Sequence, residues 1–263
     1  YLLWHGELPS PEEYEAFKSS MAADREVSEQ IIDCIRPMAD ADEDPMAALR
    51  SSVSMLSRVE TGNADPTDLQ VSREKGRRIT AKMPTLLAAF DRLRNGEEPV
   101  GPREDLGHAE NFLYMLTGDE PSEIAAETFD MALILHADHG LNASTFASMV
   151  IASTFADVYS SVTGGIGALS GPLHGGANQD VMEMLLEIDE SDKEPVEWVK
   201  SLIADGERVP GWGHRVYSVH DPRGKILKEK VRRLGEAAGD TRWYEYMAEI
   251  ERYLVEEEEL LER

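Results

Sequence analysis

Almost every stretch of this chain carries the spacing of an amphipathic helix, and none carries the apolar–polar alternation of a strand. That single property removes sheet, barrel and sandwich architectures and leaves helix-on-helix packing. Pro11 followed by Glu12 and Glu13 opens a helix with acidic side chains in its first turn. The pattern continues over 24–36 and 45–60, and over 66–95 as two helical stretches interrupted at Pro84. Pro121 opens another helix, with Ile124, Thr128, Met131 and Leu135 on one face and Gly140 as its stop. Residues 143–163 are rich in Ala, Ser and Thr, which lets a helix approach its neighbours closely. This segment is expected to be one central or interface helix ended by Gly164 and Gly165. Further helices are expected at 178–188, 195–204, 222–237 and 241–262. The Gly/Pro-rich stretches 164–176 and 205–213 are expected to be hinges or active-site loops. No fixed-period repeat is present, so a solenoid is excluded.

The chain has 263 residues, 41% of them hydrophobic, which is enough for one large or two ordinary domains with a real core. No apolar run is long enough to span a bilayer. The single cysteine, Cys34, precludes an intrachain disulfide, and a cytoplasmic location is expected. The chain starts and stops inside helical pattern, so sequence is expected to be missing at both ends. Acidic residues number 51 against 26 basic ones, a net charge of −25. Nucleic acid and anionic membranes are poor partners for such a surface. Because the imbalance is large and arginine outnumbers lysine, adaptation to high salt is expected.

Three segments place histidine in a glycine-rich or helix-terminal setting: HADHGLN at 136–142, GPLHGGANQD at 171–180 and VPGWGHRVYSVHDPR at 209–223. His136 and His139 share a helix face, a spacing that suits two metal ligands, but no HExxH pattern supports it. Asp138 beside them could orient an imidazole or simply face solvent. His174 lies just before a helix. A helix N-terminus favours anions over imidazolium, so this residue suits donation to a developing oxyanion. His214 lies in a loop whose backbone groups suit a planar heterocycle or a carbonyl. Asp221 and Pro222 form an N-cap and first helical residue. They set Arg223 in the first turn, where it would attract a carboxylate or sit as an ordinary surface cation. The run GGIGALSG at 164–171 has the wrong spacing and context for a dinucleotide fingerprint. P-loop and GxSxG motifs are absent, and Cys34 shows no sign of activation.

The segments YLLWHGELP, MPTLLAAFDRLRNGEEPVGP, HAENFLYMLTG, HADHGLNAST, GPLHGGANQDV and VPGWGHRVYSVHDPR together resemble the citrate synthase family, in family order and across essentially the whole chain. The chain is most similar to the shorter bacterial and archaeal type. The resemblance implies an all-α homodimer with a helical interface. It implies a large helical domain at 1–175, a small one at 176–263, and a cleft that closes on substrate. It implies condensation of oxaloacetate with acetyl-CoA and water to give citrate and CoA, with no cofactor and no metal.

By motif, His174 would stabilise the enol or enolate of the acetyl thioester and His214 would polarise the oxaloacetate carbonyl. His139 and Arg223 would hold oxaloacetate carboxylates, with His214 also contacting that substrate. Val209, Pro210, Gly211, Trp212 and Gly213 would meet the adenine part of CoA. Two features depart from the family pattern. The D-F-Y-S-G-like segment with the catalytic aspartate and the distal substrate arginines are not in this sequence, and Ser218 replaces a phosphate-binding arginine of some members. Rival readings are a 2-methylcitrate synthase using propionyl-CoA, a non-catalytic citrate-synthase-like interaction module, and a histidine-ligated metal hydrolase.

The charge imbalance predicts a salt-dependent fold. At about 1 M salt the Debye length is roughly 3 Å, against about 10 Å at 0.1 M, so carboxylate repulsion grows as salt is removed. The thermal midpoint is expected to fall between molar and 0.1 M salt. A melt that does not move across that range contradicts the prediction.

Overall fold

The structure, a computed structural model, describes residues 1–60, 65–138, 140–212 and 221–256. Among these residues there are thirteen helices and no strand. In chain order they are α1 Leu2–His5, α2 Pro11–Ala23, α3 Glu29–Asp40, α4 Pro45–Val59, α5 Leu69–Arg94, α6 His108–Thr117 and α7 Glu123–His136. They continue with α8 Ala143–Ala152, α9 Val158–Leu169, α10 Ala177–Glu190, α11 Pro195–Ala204, α12 Pro222–Ala238 and α13 Arg242–Glu256. The chain divides into two compact units. The first is Tyr1–Asp130 with Asp138–Gly171, and the second is Met131–Ala137 with Pro172–Arg263.

Short polar side chains start most of these helices, because the first backbone N–H groups of a helix have no partner within it. Ser10 and Glu13 form a reciprocal capping box ahead of α2, with Pro11 as its first residue. Asp44 accepts from Ala47 N–H at 2.8 Å, Asn142 from Thr145 N–H at 2.8 Å and Asp157 from Ser160 N–H at 3.0 Å. α6 has no side-chain oxygen at its Gly107 cap and did not stand out in the sequence. There the Glu110 carboxylate accepts the Gly107 N–H at 3.1 Å.

The core of the first unit is built by Ile31, Ile32 and Ile35 from α3, Leu49, Val53 and Leu56 from α4, Ile79, Leu86 and Phe90 from α5, and Tyr159 and Ile166 from α9. The Tyr159 hydroxyl donates to the Glu60 carboxylate, and Lys82 pairs with the same carboxylate at 3.6 Å. Burial, together with Glu60, pushes the Tyr159 pKa well up, so it remains a donor. The buried Arg25 guanidinium donates to the carbonyls of Arg103 and Leu106, at 2.5 and 2.9 Å. This satisfies backbone acceptors of the non-helical chain between α5 and α6.

Two expectations are corrected here. Pro84 does not divide the 66–95 segment, because α5 runs unbroken through it. A proline inside a helix costs one backbone hydrogen bond and about 3 kcal/mol. Seven buried side chains of α5 outweigh that cost: Ile79, Ala81, Thr85, Leu86, Ala88, Ala89 and Phe90. Nor is 143–163 one helix ended by Gly164 and Gly165. The chain breaks after Ala152, passes through Phe155 at φ 59°, and restarts at the Asp157 cap. The two glycines lie inside α9, where they face α8.

A Cβ on Gly165 would sit 2.5 Å from Ser148 Oγ and 3.4 Å from the Ser144 carbonyl. One on Gly164 would sit 2.1 Å from Ile151 Cδ1. Here glycine permits close approach of two helices rather than stopping one. Ser148 Oγ then donates to the Ser161 carbonyl at 3.0 Å, closing the pair.

In the second unit the core is Met184, Leu185 and Ile188 from α10, Val199 from α11, Val209 from the following loop, and Ile250, Tyr253 and Leu254 from α13. Asp189 ties α10 to α13 by accepting from Arg242 at 2.8 Å and from the Tyr246 hydroxyl at 3.0 Å. α12 buries no side chain fully and pairs with α13 through Lys228 and Glu251. The helix expected over 241–262 is α13 as far as Glu256, and residues 257–263 lie outside the described residues.

The α8–α9 contact generates a test. Gly165→Val is expected to lower stability by roughly 1–3 kcal/mol through overpacking. Gly167, whose Cβ would meet only Arg50 Cδ at 3.7 Å, is the control. Gly167→Ala is expected to be neutral or to stabilise by up to about 1 kcal/mol. Equal denaturant midpoints for the two variants would contradict the close-approach assignment.

Candidate functional site

The histidine segments lie at helix ends, and the local bonding explains each position. α7 terminates at His136, whose ring nitrogen Nδ1 lies 2.6 Å from the Ala132 carbonyl. His136 therefore bonds back to the carbonyl four residues earlier in its own helix. Asp138 accepts the Gly140 N–H at 3.0 Å, and Gly140 takes φ +70°. So Asp138 turns the chain here. His139 lies outside the described residues, as do Gly213, His214 and Ser218. Among the described residues no three His, Cys, Asp or Glu side chains are grouped to hold a metal ion.

His174 lies half-buried in the turn between α9 and α10, two residues before the α10 cap at Gly176. Gly176 offers no side-chain oxygen to the first N–H groups of α10. The positive end of that helix favours negative charge on a neighbouring oxygen. The stretch 170–176 is a run of turns, as the sequence implied, whereas 164–169 is helix.

The VPGW segment leaves α11 and comes back onto α10. Val209 is buried in the core of the second unit and Trp212 packs against that core from the other side of the turn. Gly211, between them, has φ +82°, a conformation costly to any residue with a Cβ. A Cβ there would also sit 2.7 Å from Val181 Cγ2 on α10. Glycine is therefore required twice over at this position. Val181 closes the GPLHGGANQDV segment, but nothing in that segment assigned it a role. Its only signal was the apolar spacing of α10 through Met184, Leu185 and Ile188, which reads simply as a core face.

Arg223 occupies the first turn of α12. Asp221 caps that helix by accepting the Arg223 N–H at 2.9 Å. The same carboxylate accepts from Arg223 Nε at 3.0 and 3.1 Å and from Nη2 at 2.6 Å. One aspartate thus closes the helix end and fixes the plane of the guanidinium. His174, the VPGW segment and Arg223 all belong to the second unit.

The whole chain, residues 1–263, matches the family model described as citrate synthase, C-terminal domain. It is 57% identical over 262 residues to a citrate synthase of Haloferax volcanii, a match covering 99% of this chain and 69% of that protein. A 2-methylcitrate synthase of Mycobacterium tuberculosis is 39% identical over 243 residues, covering 92% of this chain and 61% of the relative. Among solved structures, the citrate synthase of Pyrobaculum aerophilum superposes with a TM-score of 0.84 at 39% identity, over 97% of this chain and 65% of that one. Citrate synthase of Thermoplasma acidophilum, in ternary complex with carboxymethyl coenzyme A and oxaloacetate, gives a TM-score of 0.86 at 28% identity. That match covers 96% of this chain and 66% of the other. The chain thus spans about two thirds of the length of the relatives it matches. Sequence and all-helical architecture agree across nearly every residue, and the chain belongs to the citrate synthase family.

Proposed function

We propose that the protein carrying this chain condenses oxaloacetate with acetyl-CoA and hydrolyses the resulting thioester to citrate and CoA, with no bound cofactor. The observation that carries this reading is the 57% identity to a citrate synthase over 99% of the chain, against 39% to a 2-methylcitrate synthase. One methylene is worth only about 1–3 kcal/mol of discrimination. The margin in identity therefore decides between the two where motif chemistry does not.

In this reading a carboxylate base removes a proton from the acetyl methyl group. The electron pair moves onto the thioester oxygen, where His174 donates a hydrogen bond. The enolate carbon attacks the oxaloacetate ketone as the thioester C=O re-forms. The ketone oxygen, polarised by His214, ends with the proton taken from the methyl group. Water then cleaves the C–S bond to give the carboxyl group of citrate and CoA thiol. His139 and Arg223 hold the carboxylates of oxaloacetate, and Val209 to Gly213 meet the adenine of CoA. Support for Arg223 comes from the Asp221 grip, which orients the guanidinium. Support for His174 comes from its turn ahead of α10.

We read the unit boundary at Gly171/Pro172 as the junction of the large and small domains, which the resemblance sets at 175/176. The active form in this reading is a homodimer. α8 and the turn after it expose Phe146, Met149, Val150 and Phe155 at 58, 55, 50 and 64%. Apolar surface of that extent suits burial against a second copy. The protein is placed in the cytoplasm, with neither nucleic acid nor membrane as a partner. Among the described residues no helix is long and apolar enough to cross a membrane.

The test is release of CoA thiol by the whole purified protein given acetyl-CoA and oxaloacetate, with citrate identified by mass. His174→Ala and His214→Ala are each expected to lower kcat on the order of 10²–10³-fold, the cost of losing one transition-state donor. Arg223→Ala is expected chiefly to raise the KM for oxaloacetate. Near-normal turnover in either histidine variant, or a preference for propionyl-CoA, would overturn the assignment.

A further inference from the structure

We propose that Val181 is a positioning residue that sets the height of the CoA-binding loop above α10, the helix that follows the His174 turn. The proposal rests on the reading of Val209 to Gly213 as the segment that meets CoA. Its own evidence is packing within the second unit. Gly211 passes so close to α10 that a Cβ would lie 2.7 Å from Val181 Cγ2. Val209 is buried with Met184, Leu185 and Ile188 of α10, and Trp212 packs on the same cluster. The loop is therefore held on both sides of Gly211, and Val181 fills the gap beneath it.

A valine in a helix is nearly confined to one rotamer, so its methyl cannot swing aside. Val181 lies four residues past the start of α10 at Ala177, about 6 Å along the axis. His174 precedes that start by three residues. One short length of rigid helix thus carries the turn bearing His174 at one end and the contact that supports the loop at the other. A helical strut of this kind fixes the separation of two substrate-contacting segments without touching substrate.

The experiment uses the whole protein and reads KM for acetyl-CoA, kcat and thermal midpoint in four variants. Gly211→Ala is expected to raise the acetyl-CoA KM on the order of tenfold with kcat within about threefold, because contact with the non-reacting part of the substrate is lost. Val181→Ala is expected to raise it about threefold by letting the loop sink. The double variant is expected to stay clearly below the roughly thirtyfold of independent effects, since the smaller side chain removes the clash with the new methyl while the backbone strain at φ +82° remains. Val181→Thr keeps the branched shape and is expected to stay within about twofold of the parent.

A double variant that shows the multiplied effect would overturn the role of Val181 and leave the CoA reading intact. A folded Gly211→Ala protein with unchanged acetyl-CoA KM would overturn the reading of the loop itself. If Gly211→Ala does not fold, the Val181→Ala and Val181→Thr pair decides. Equal KM values for the two would overturn the proposal.

Discussion

A helix leaves its first N–H groups and its last carbonyls without internal partners, and the sequence motifs that fall among the described residues lie beside such helix ends. The residues assigned to substrate in the described part of the chain are at or just outside helix ends. His174 precedes the bare cap of α10, and Arg223 stands in the first turn of α12 beneath its Asp221 cap. His136, at the end of α7, turns one ring nitrogen to the Ala132 carbonyl of its own helix. Arg223 is gripped by Asp221, the same carboxylate that caps its helix.

The same dependence on packing explains the glycines. In α9, Gly164 and Gly165 allow α8 to approach until Ser148 bonds across to the Ser161 carbonyl. At Gly211 the missing Cβ lets a loop settle onto Val181, and φ +82° makes the turn that brings Val209 and Trp212 to the core. Residues that look like hinges in the sequence act in these places as points of contact. A change that adds one methyl group there displaces an element, because protein interiors are packed without slack.

The legibility of the chain follows from which interactions are local. Helical class, the cap at Asp221, and the turn before α10 depend on neighbours within a few residues, and each was readable. Pro84 within α5 was not, because its tolerance depends on core partners in α3, α4 and α9 that only the fold supplies. The division of 143–163 into α8 and α9 was hidden for a related reason. Phe155 and Asp157 break the helix, while the glycines that looked like its end are spent on a neighbour. The motif histidines and Arg223 drew attention in the sequence because they stand in short glycine-rich or capped segments. Val181 was illegible, since a valine on a core face carries no sign that a loop rests on it.

The central claim is that the turn before α10 and the capped arginine of α12 serve the same condensation reaction. The most direct measurement is a structure of the whole protein with oxaloacetate and an unreactive acetyl-CoA analogue bound. The account predicts a ring nitrogen of His174 within about 2.6–3.2 Å of the oxygen that replaces the thioester carbonyl, with Arg223, still held by Asp221, paired to an oxaloacetate carboxylate. A complex in which both ligands are bound while His174 and Arg223 face away from them would contradict it.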